Sequence, residues 1–378
     1  MMKKIISFVI PCLNEELTLP LVLKKINHLK MNELKDREVE IIVSDNGSND
    51  NSITIANELG ARINHCSIRG YGAALNSGIL AANGEIIIFA DADDTYDFLE
   101  APKLIHKLEE GYEYVIGSRL DGTIHKGAMP FLHRYVGTPV INFIINSLYA
   151  KSTKVRDANS GFRCFLKSSY LKWNIKSTGM EFASELLIKS LLFNATTANV
   201  PISLYPDKEG RTPHLKTWRD GMRHLLRILL YAPNFFERIG LLTFFSFLGI
   251  LVFGYFKNLT PFMGTNIFGI HTLLISSFAS LIGLSIWGCG LFLSSRVPNP
   301  SFSYKWLLNL SEDTLFFLLI TIFLLAISLV AYVFYFWANF NFQFLNMERE
   351  LLMANTIFLI LIQIILISLT AHILKRSE

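Results

Sequence analysis

The feature that most constrains this chain is a set of four long C-terminal stretches without a formal charge: 239–256, 269–293, 315–338 and 352–371. At a rise of about 1.5 Å per residue, helices of this length match the ~30 Å hydrocarbon core of a bilayer. A helix satisfies its own backbone in lipid, which irregular chain cannot do. Buried helices of a large soluble core are the alternative reading, but four such runs in succession, with phenylalanine-rich ends, favour membrane spans at about 239–256, 269–293, 315–338 and 352–374. Of 35 Lys/Arg and 31 Asp/Glu, only six and five lie beyond Arg238, so the charges concentrate in a portion able to fold in water.

The expected organisation is therefore a water-soluble domain over 1–212, basic amphipathic interfacial helices over 213–238, and a membrane domain over 239–378. The start, Met1-Met2-Lys3-Lys4, superficially suggests a signal peptide. Its apolar stretch covers only residues 5–10, and Pro11 is soon followed by Asn14-Glu15-Glu16, so no export segment fits. Residues 5–10 read better as a first strand, which puts the N-terminal domain in the cytoplasm. Four spans would return the C-terminus to the same side, making a multi-pass integral membrane protein. Loop charges agree: Arg296, Lys305, Lys375 and Arg376 fall inside, and only Lys257 and Arg349 are basic outside. Cys12, Cys66, Cys164 and Cys289 lack paired spacing, which suggests a reduced compartment and no metal–thiolate site.

Strand and helix signals alternate along the soluble portion. Residues 5–10, 40–44 and 85–90 read as strands, and 17–29, 52–59 and 73–82 as helices, a rhythm that argues for an α/β fold with a parallel sheet covered on both faces. Ligands of such sheets bind beyond the carboxyl ends of the strands. Polar clusters fall there: Asn14-Glu15-Glu16, Asp45-Asn46-Gly47-Ser48 and Asp91-Ala92-Asp93-Asp94. Between Pro213 and Pro233, Arg219, Arg223 and Arg227 recur every fourth residue beside an apolar column of Trp218, Met222, Leu225 and Leu229. Such a helix can lie in the headgroup layer, or pack on the soluble domain; the closeness of the first span favours the membrane surface.

Asp91-Ala92-Asp93-Asp94 is the sharpest chemical signal. Carboxylates crowded at the end of an apolar strand repel one another unless a cation joins them. Mg²⁺ or Mn²⁺ suits such oxygen ligands, with substrate phosphates completing the site. Arg69-Gly70-Tyr71-Gly72 precedes a helix and lets backbone approach a ligand closely, although neither the dinucleotide nor the Walker spacing is present.

As an ordered set these blocks resemble glycosyltransferase family 2, the GT-A fold: Phe8-Val9-Ile10-Pro11-Cys12-Leu13-Asn14-Glu15-Glu16, Val43-Ser44-Asp45-Asn46-Gly47-Ser48, residues 69–76 and residues 90–94. Later blocks resemble its polyisoprenyl-phosphate branch, which includes dolichyl-phosphate mannose synthases and undecaprenyl-phosphate sugar transferases: Ile116-Gly117-Ser118-Arg119, Leu132-His133-Arg134-Tyr135, Asp157-Ala158-Asn159-Ser160-Gly161-Phe162-Arg163 and Gly179-Met180-Glu181-Phe182-Ala183-Ser184-Glu185. The likeness covers about the first 235 residues.

The resemblance implies Pro11, Asn14, Glu15, Asp45 and, more weakly, Arg69 in the nucleoside pocket. It implies Asp91 and Asp93 as holders of Mg²⁺ or Mn²⁺ and the donor diphosphate, with Arg211 on a loop that closes on the donor. This chain lacks the Ser-Lys usual in that loop, and Asn46 stands where an Asp is common. Arg119 and Arg134, with Thr138, would clamp an acceptor phosphate, and Asp157 would position groups or move a proton. The implied reaction is inverting transfer of one sugar from a UDP- or GDP-linked donor to a polyprenyl phosphate. No nucleic-acid partner is implied, and homo-oligomerisation is left open. A processive polysaccharide synthase is the nearest rival, but its Gln-x-x-Arg-Trp block is missing. A scaffold on a decayed transferase domain conflicts with the intact Asp91, Asp93, Arg119 and Arg134. A transporter is disfavoured because the spans lack charges, with His271 and Gln363 their notable polar residues.

Overall fold

The computed structural model describes residues 5–150, 153–210, 217–256, 267–339 and 348–376. The chain forms two compact units that divide between Ile228 and Leu229.

In the first unit the elements run β1 (Ile6–Cys12), α1 (Leu19–Met31), β2 (Val39–Asp45), α2 (Ser52–Glu58), β3 (Arg62–His65), α3 (Tyr71–Ala81), β4 (Ile86–Phe89), α4 (Ala101–Glu109), β5 (Tyr114–Ser118), α5 (Thr138–Leu148), β6 (Arg163–Leu166), α6 (Lys167–Trp173), α7 (Phe182–Leu192), β7 (Thr197–Pro201) and α8 (Thr217–Leu230). The strands form one seven-stranded sheet in the order β3-β2-β1-β4-β6-β5-β7. This is the mostly parallel, helix-covered GT-A arrangement. β1 and β4 are buried along their whole length, as continuous apolar strands covered on both faces should be. α1 buries Leu19, Val22, Leu23, Ile26 and Leu29, one helical stripe facing the sheet.

The sheet is not wholly parallel. β6 runs antiparallel to both β4 and β5, with Arg163 level with Phe89 on one side and Ile116 on the other. That reversal brings the start of β6 to the edge where β1, β2, β4 and β5 end. The neighbours of β1 are β2 and β4, so the strand order switches direction there, and a crevice at such a point is where ligands bind.

The second unit contains α9 (Pro233–Phe256), α10 (Ile270–Ser294), α11 (Phe302–Leu308), α12 (Glu312–Asn339) and α13 (Glu348–Arg376). Among the described residues four helices are long and apolar enough to cross a membrane: Pro233–Phe256, Ile270–Ser294, Glu312–Asn339 and Glu348–Leu374. Three of them begin before the expected spans, because an uncharged window marks the apolar stretch rather than the helix. Proline suits the first turn of α9, and Glu312, Asp313, Glu348 and Glu350 sit where a helix N-terminus favours carboxylates. α9 and α10 approach closely: a Cβ on Gly240 would lie 2.3 Å from the Trp287 backbone nitrogen. α10 and α13 share hydroxyl contacts, Ser277 with Thr356 at 2.7 Å. Close backbones and interhelical hydrogen bonds are how helices associate in lipid.

Candidate active site

Four sequence blocks converge at the switch edge. Pro11 lies in buried β1, and Asp45 ends β2. The Asp45 carboxylate accepts the backbone N–H groups of Gly47 and Ser48, each at 3.0 Å, which closes the turn after the strand. Asn14, at φ 55°, accepts from the Asn49 N–H at 2.8 Å, so the turns after β1 and β2 are stitched together. Glu15 is buried; its N–H donates to Ser52 Oγ and its carboxylate accepts from Thr18. Asn46 links Gly70 N–H at 2.7 Å to the Ile68 carbonyl at 2.7 Å, and so fastens the loop carrying exposed Arg69. These side chains gather at the ends of β1 and β2, and several hold the backbone of the turns there.

The acidic loop follows β4. Asp91 Oδ1 accepts the Tyr71 hydroxyl at 2.8 Å, and Asp93 Oδ1 accepts both Thr95 N–H and Thr95 Oγ1. Desolvation, reinforced by Asp91, pushes the Tyr71 hydroxyl well above its ordinary pKa, so it remains a donor. Asp94 turns the other way. Its φ of 59° carries it to Lys25 at 2.7 Å and Lys208 at 3.4 Å, which separates it from the pair. Desolvation opposes the charge on Lys25, but Asp94 and Asp97 hold its pKa above the usual lysine value. Among the described residues no group of three or more His, Cys, Asp or Glu could hold a metal ion. Two hard carboxylates completed by substrate phosphates is nevertheless the pattern Mg²⁺ and Mn²⁺ favour, so Asp91 and Asp93 fit such an ion.

Across the crevice, Arg119 follows β5 and Asp157 precedes β6. Arg119 Nε and Nη2 meet the two Asp157 oxygens at 2.7 and 2.8 Å, and Arg119 N–H adds a third bond at 3.0 Å. Asp157 is fully buried. Burial opposes the Arg119 charge, but Tyr96 and Asp157 more than offset it, so the guanidinium pKa is raised. Arg163 does not pair with Asp157. Its guanidinium donates to the carbonyls of Ser160, Ala183 and Ala158 and to the Tyr114 hydroxyl, fixing the 157–161 loop.

Arg134 lies in a π-type turn over residues His133–Gly137, its guanidinium carbon 5.4 Å from the Tyr135 ring centroid. Among the described residues no carboxylate is within ion-pair reach of it. Thr138 opens α5 and is buried. The two residues before the turn, the turn itself and α5 expose Phe131, Leu132, Tyr135, Val136, Val140 and Phe143. Arg211 lies outside the described residues.

Comparison with known proteins identifies the family. Residues 7–172 match the model of glycosyl transferase family 2. A low-salt glycan biosynthesis hexosyltransferase of Haloferax volcanii is 33% identical over 295 residues, 76% of this chain and 68% of that protein. This chain belongs to glycosyl transferase family 2. The dolichyl-phosphate hexose transferase of the same organism is 32% identical over 203 residues, 53% of this chain and 82% of that protein. An undecaprenyl-phosphate 4-deoxy-4-formamido-L-arabinose transferase of Yersinia pestis is 33% identical over 156 residues, 39% of this chain and 45% of that protein.

In this glycosyltransferase α8 corrects one expectation. Arg227 does not join Arg219 and Arg223 on an outward column; it faces Glu181 at 3.8 Å and Glu185 at 3.9 Å, while His224 meets Ser184 at 2.7 Å. A four-residue step overshoots a helical turn by roughly 40°, and two steps carry Arg227 onto the packed face. Arg219, Arg223, Met222 and Leu226 remain exposed. Sequence reasoning also missed Tyr71, Tyr96 and Lys25. A tyrosine between two glycines was the available signal for the first; nothing local marks the others.

Proposed function

We propose that this glycosyltransferase moves one sugar from a UDP- or GDP-linked donor to the phosphate of a polyprenyl lipid, inverting the anomeric carbon, at the cytosolic face of a membrane. The observation that carries this reading is Arg134: a guanidinium with no carboxylate partner among the described residues, set in a helix whose exposed face is apolar. That pairing suits an acceptor with an anionic head and a hydrocarbon body. The acceptors named in the dolichyl- and undecaprenyl-phosphate relatives support the same class, while their different sugars leave the donor open.

The chemistry asks for little proton transfer. A lipid monophosphate has a second pKa near ~6 and is already anionic at neutral pH. Its oxygen forms a bond to the anomeric carbon as the bond from that carbon to the diphosphate breaks, and the electron pair leaves with the nucleoside diphosphate. Asp91 and Asp93 would hold Mg²⁺ or Mn²⁺, which as a Lewis acid offsets charge on the leaving diphosphate. Asp45, Asn14, Glu15 and Pro11 shape the nucleoside pocket beside Arg69, with Arg211 a candidate on the closing loop. Arg119, aimed by Asp157, offers its remaining Nη1 edge to the acceptor phosphate, and Arg134 and Thr138 flank it. The protein's work is orientation and preorganised charge.

α8 would rest on the membrane surface through Met222 and Leu226, with Arg219 and Arg223 reaching anionic headgroups. The test is incubation of the purified protein with polyprenyl phosphate and a panel of nucleotide sugars, read by lipid mass. One added sugar per lipid is expected. Progressive extension would favour a processive synthase, and an unchanged lipid with every donor would sink the proposal.

A further inference from the structure

The glycines at 70 and 72 perform a packing task that leads to the acidic loop. A Cβ on Gly70, at φ 138°, would lie 2.1 Å from the Thr178 carbonyl oxygen, and one on Gly72 would lie 2.6 Å from the Ser177 carbonyl oxygen. Only hydrogen at both positions lets the start of α3 seat against residues 177–179, where Ala73 N–H donates to the Thr178 carbonyl at 3.0 Å. That segment is itself anchored: Ser177 N–H reaches Glu185 Oε2 at 2.8 Å, the Ser177 hydroxyl bonds the same oxygen, and Lys189 pairs with Glu185 at 2.9 Å. Between the two glycines stands Tyr71, with its hydroxyl 2.8 Å from Asp91 Oδ1. On the other side, Gly161 brings backbone against the same carboxylate, since a Cβ there would lie 2.8 Å from Asp91 Oδ2.

We propose that Tyr71 is a positioning residue for Asp91: its hydroxyl, seated by the Gly70–Gly72 turn on the Glu185-anchored segment, holds the carboxylate in the orientation that receives the donor's divalent cation. The inference rests on the metal role assigned above. Residues that orient a metal-binding side chain change affinity by roughly tenfold to a hundredfold when removed.

The test uses the full-length protein, Mn²⁺ and either UDP or GDP, without lipid acceptor, with free Mn²⁺ followed by its paramagnetic resonance signal. Tyr71→Phe removes one oxygen and keeps the ring. It is expected to weaken Mn²⁺ binding about tenfold. Tyr170→Phe is the control, because its hydroxyl bonds Asn76 on the same helix, at 2.7 Å, away from Asp91. It should leave Mn²⁺ affinity unchanged even if thermal stability falls. Wild-type affinity in Tyr71→Phe, or equal weakening in Tyr170→Phe, overturns the inference and leaves the transfer reaction standing. If the wild-type protein takes up no Mn²⁺ with either nucleotide, the metal role fails with it.

Discussion

On one side of the crevice, carboxylates are held by neutral donors: Asp45 by the N–H groups of Gly47 and Ser48, Asp91 by the Tyr71 hydroxyl, Asp93 by Thr95. On the other side Arg119 is held by a charge, Asp157, while Arg134 rests on the Tyr135 ring. Neutral donors orient these carboxylates, and the charge of Asp91 also acts on Arg119, whose pKa it helps to raise. The Arg119–Asp157 pair sums to zero, so in the proposed acceptor site it would supply direction, and Arg134 would supply the net positive charge for a lipid phosphate. Direction and charge would then be carried by different arginines.

Asp157→Asn should break this division most severely. It keeps the shape, removes the buried counter-charge and loosens the fork. Stability should fall by about 3–5 kcal/mol, as for a buried pair that loses one partner, and kcat/KM for the lipid by roughly a hundredfold, a loss of about 2.7 kcal/mol in transition-state binding. Thermal unfolding and steady-state kinetics check both. If charge alone governed acceptor binding, the variant would instead bind the lipid phosphate more tightly, and the contrast between the two arginines would collapse.

How much of this was legible in the sequence follows from where each signal lives. β1 and β4 could be read because unbroken apolar runs ending in polar clusters are local facts. β6 could not: it is four residues beginning with an arginine, and Arg163 is tolerable in a core only because carbonyls 3, 5 and 20 residues away surround it. Asp91 and Asp93 stood out by crowding, but nothing local told Asp94 apart from them; a backbone turn and two distant lysines do that. Arg119 and Arg134 looked equivalent as arginines after structured blocks. Their difference is tertiary, since Asp157 lies 38 residues from Arg119. Helix ends were displaced for a simpler reason: Glu237 is buried in α9 with Ser294 as a donor at 3.4 Å, and charge counting places it outside a span.

Arg134→Ala sharpens the comparison with a more selective effect. A hydrogen bond to a charged group contributes about 1.5–3 kcal/mol, so the lipid-acceptor KM should rise roughly tenfold to a hundredfold. Donor KM and thermal stability should hardly move, because the side chain is half-buried and lies against one ring. Arg134→Lys should recover part of the loss, retaining charge without the planar fork. A rise in donor KM instead would move Arg134 to the other side of the crevice.

The smallest effect concerns the floor of the donor side. Cys12 ends β1 beneath the Asp45 turn, and its thiol is pushed up to about 12, chiefly by burial, with Asp45 and Glu15 adding to the shift against Ser52 and Ser48. Thiolate is the reactive form, and its fraction grows as pH rises towards the pKa. At pH 8 the Cys12 thiol therefore stays protonated, and iodoacetamide should label half-buried Cys66 well before Cys12. Mass mapping of the labelled protein checks the order. Rapid labelling of Cys12 at pH 8 would mean that the turns after β1 and β2 open readily. The donor side would then be the looser half of the crevice, despite the bonds that stitch Asn14 to Asn49 and Glu15 to Ser52.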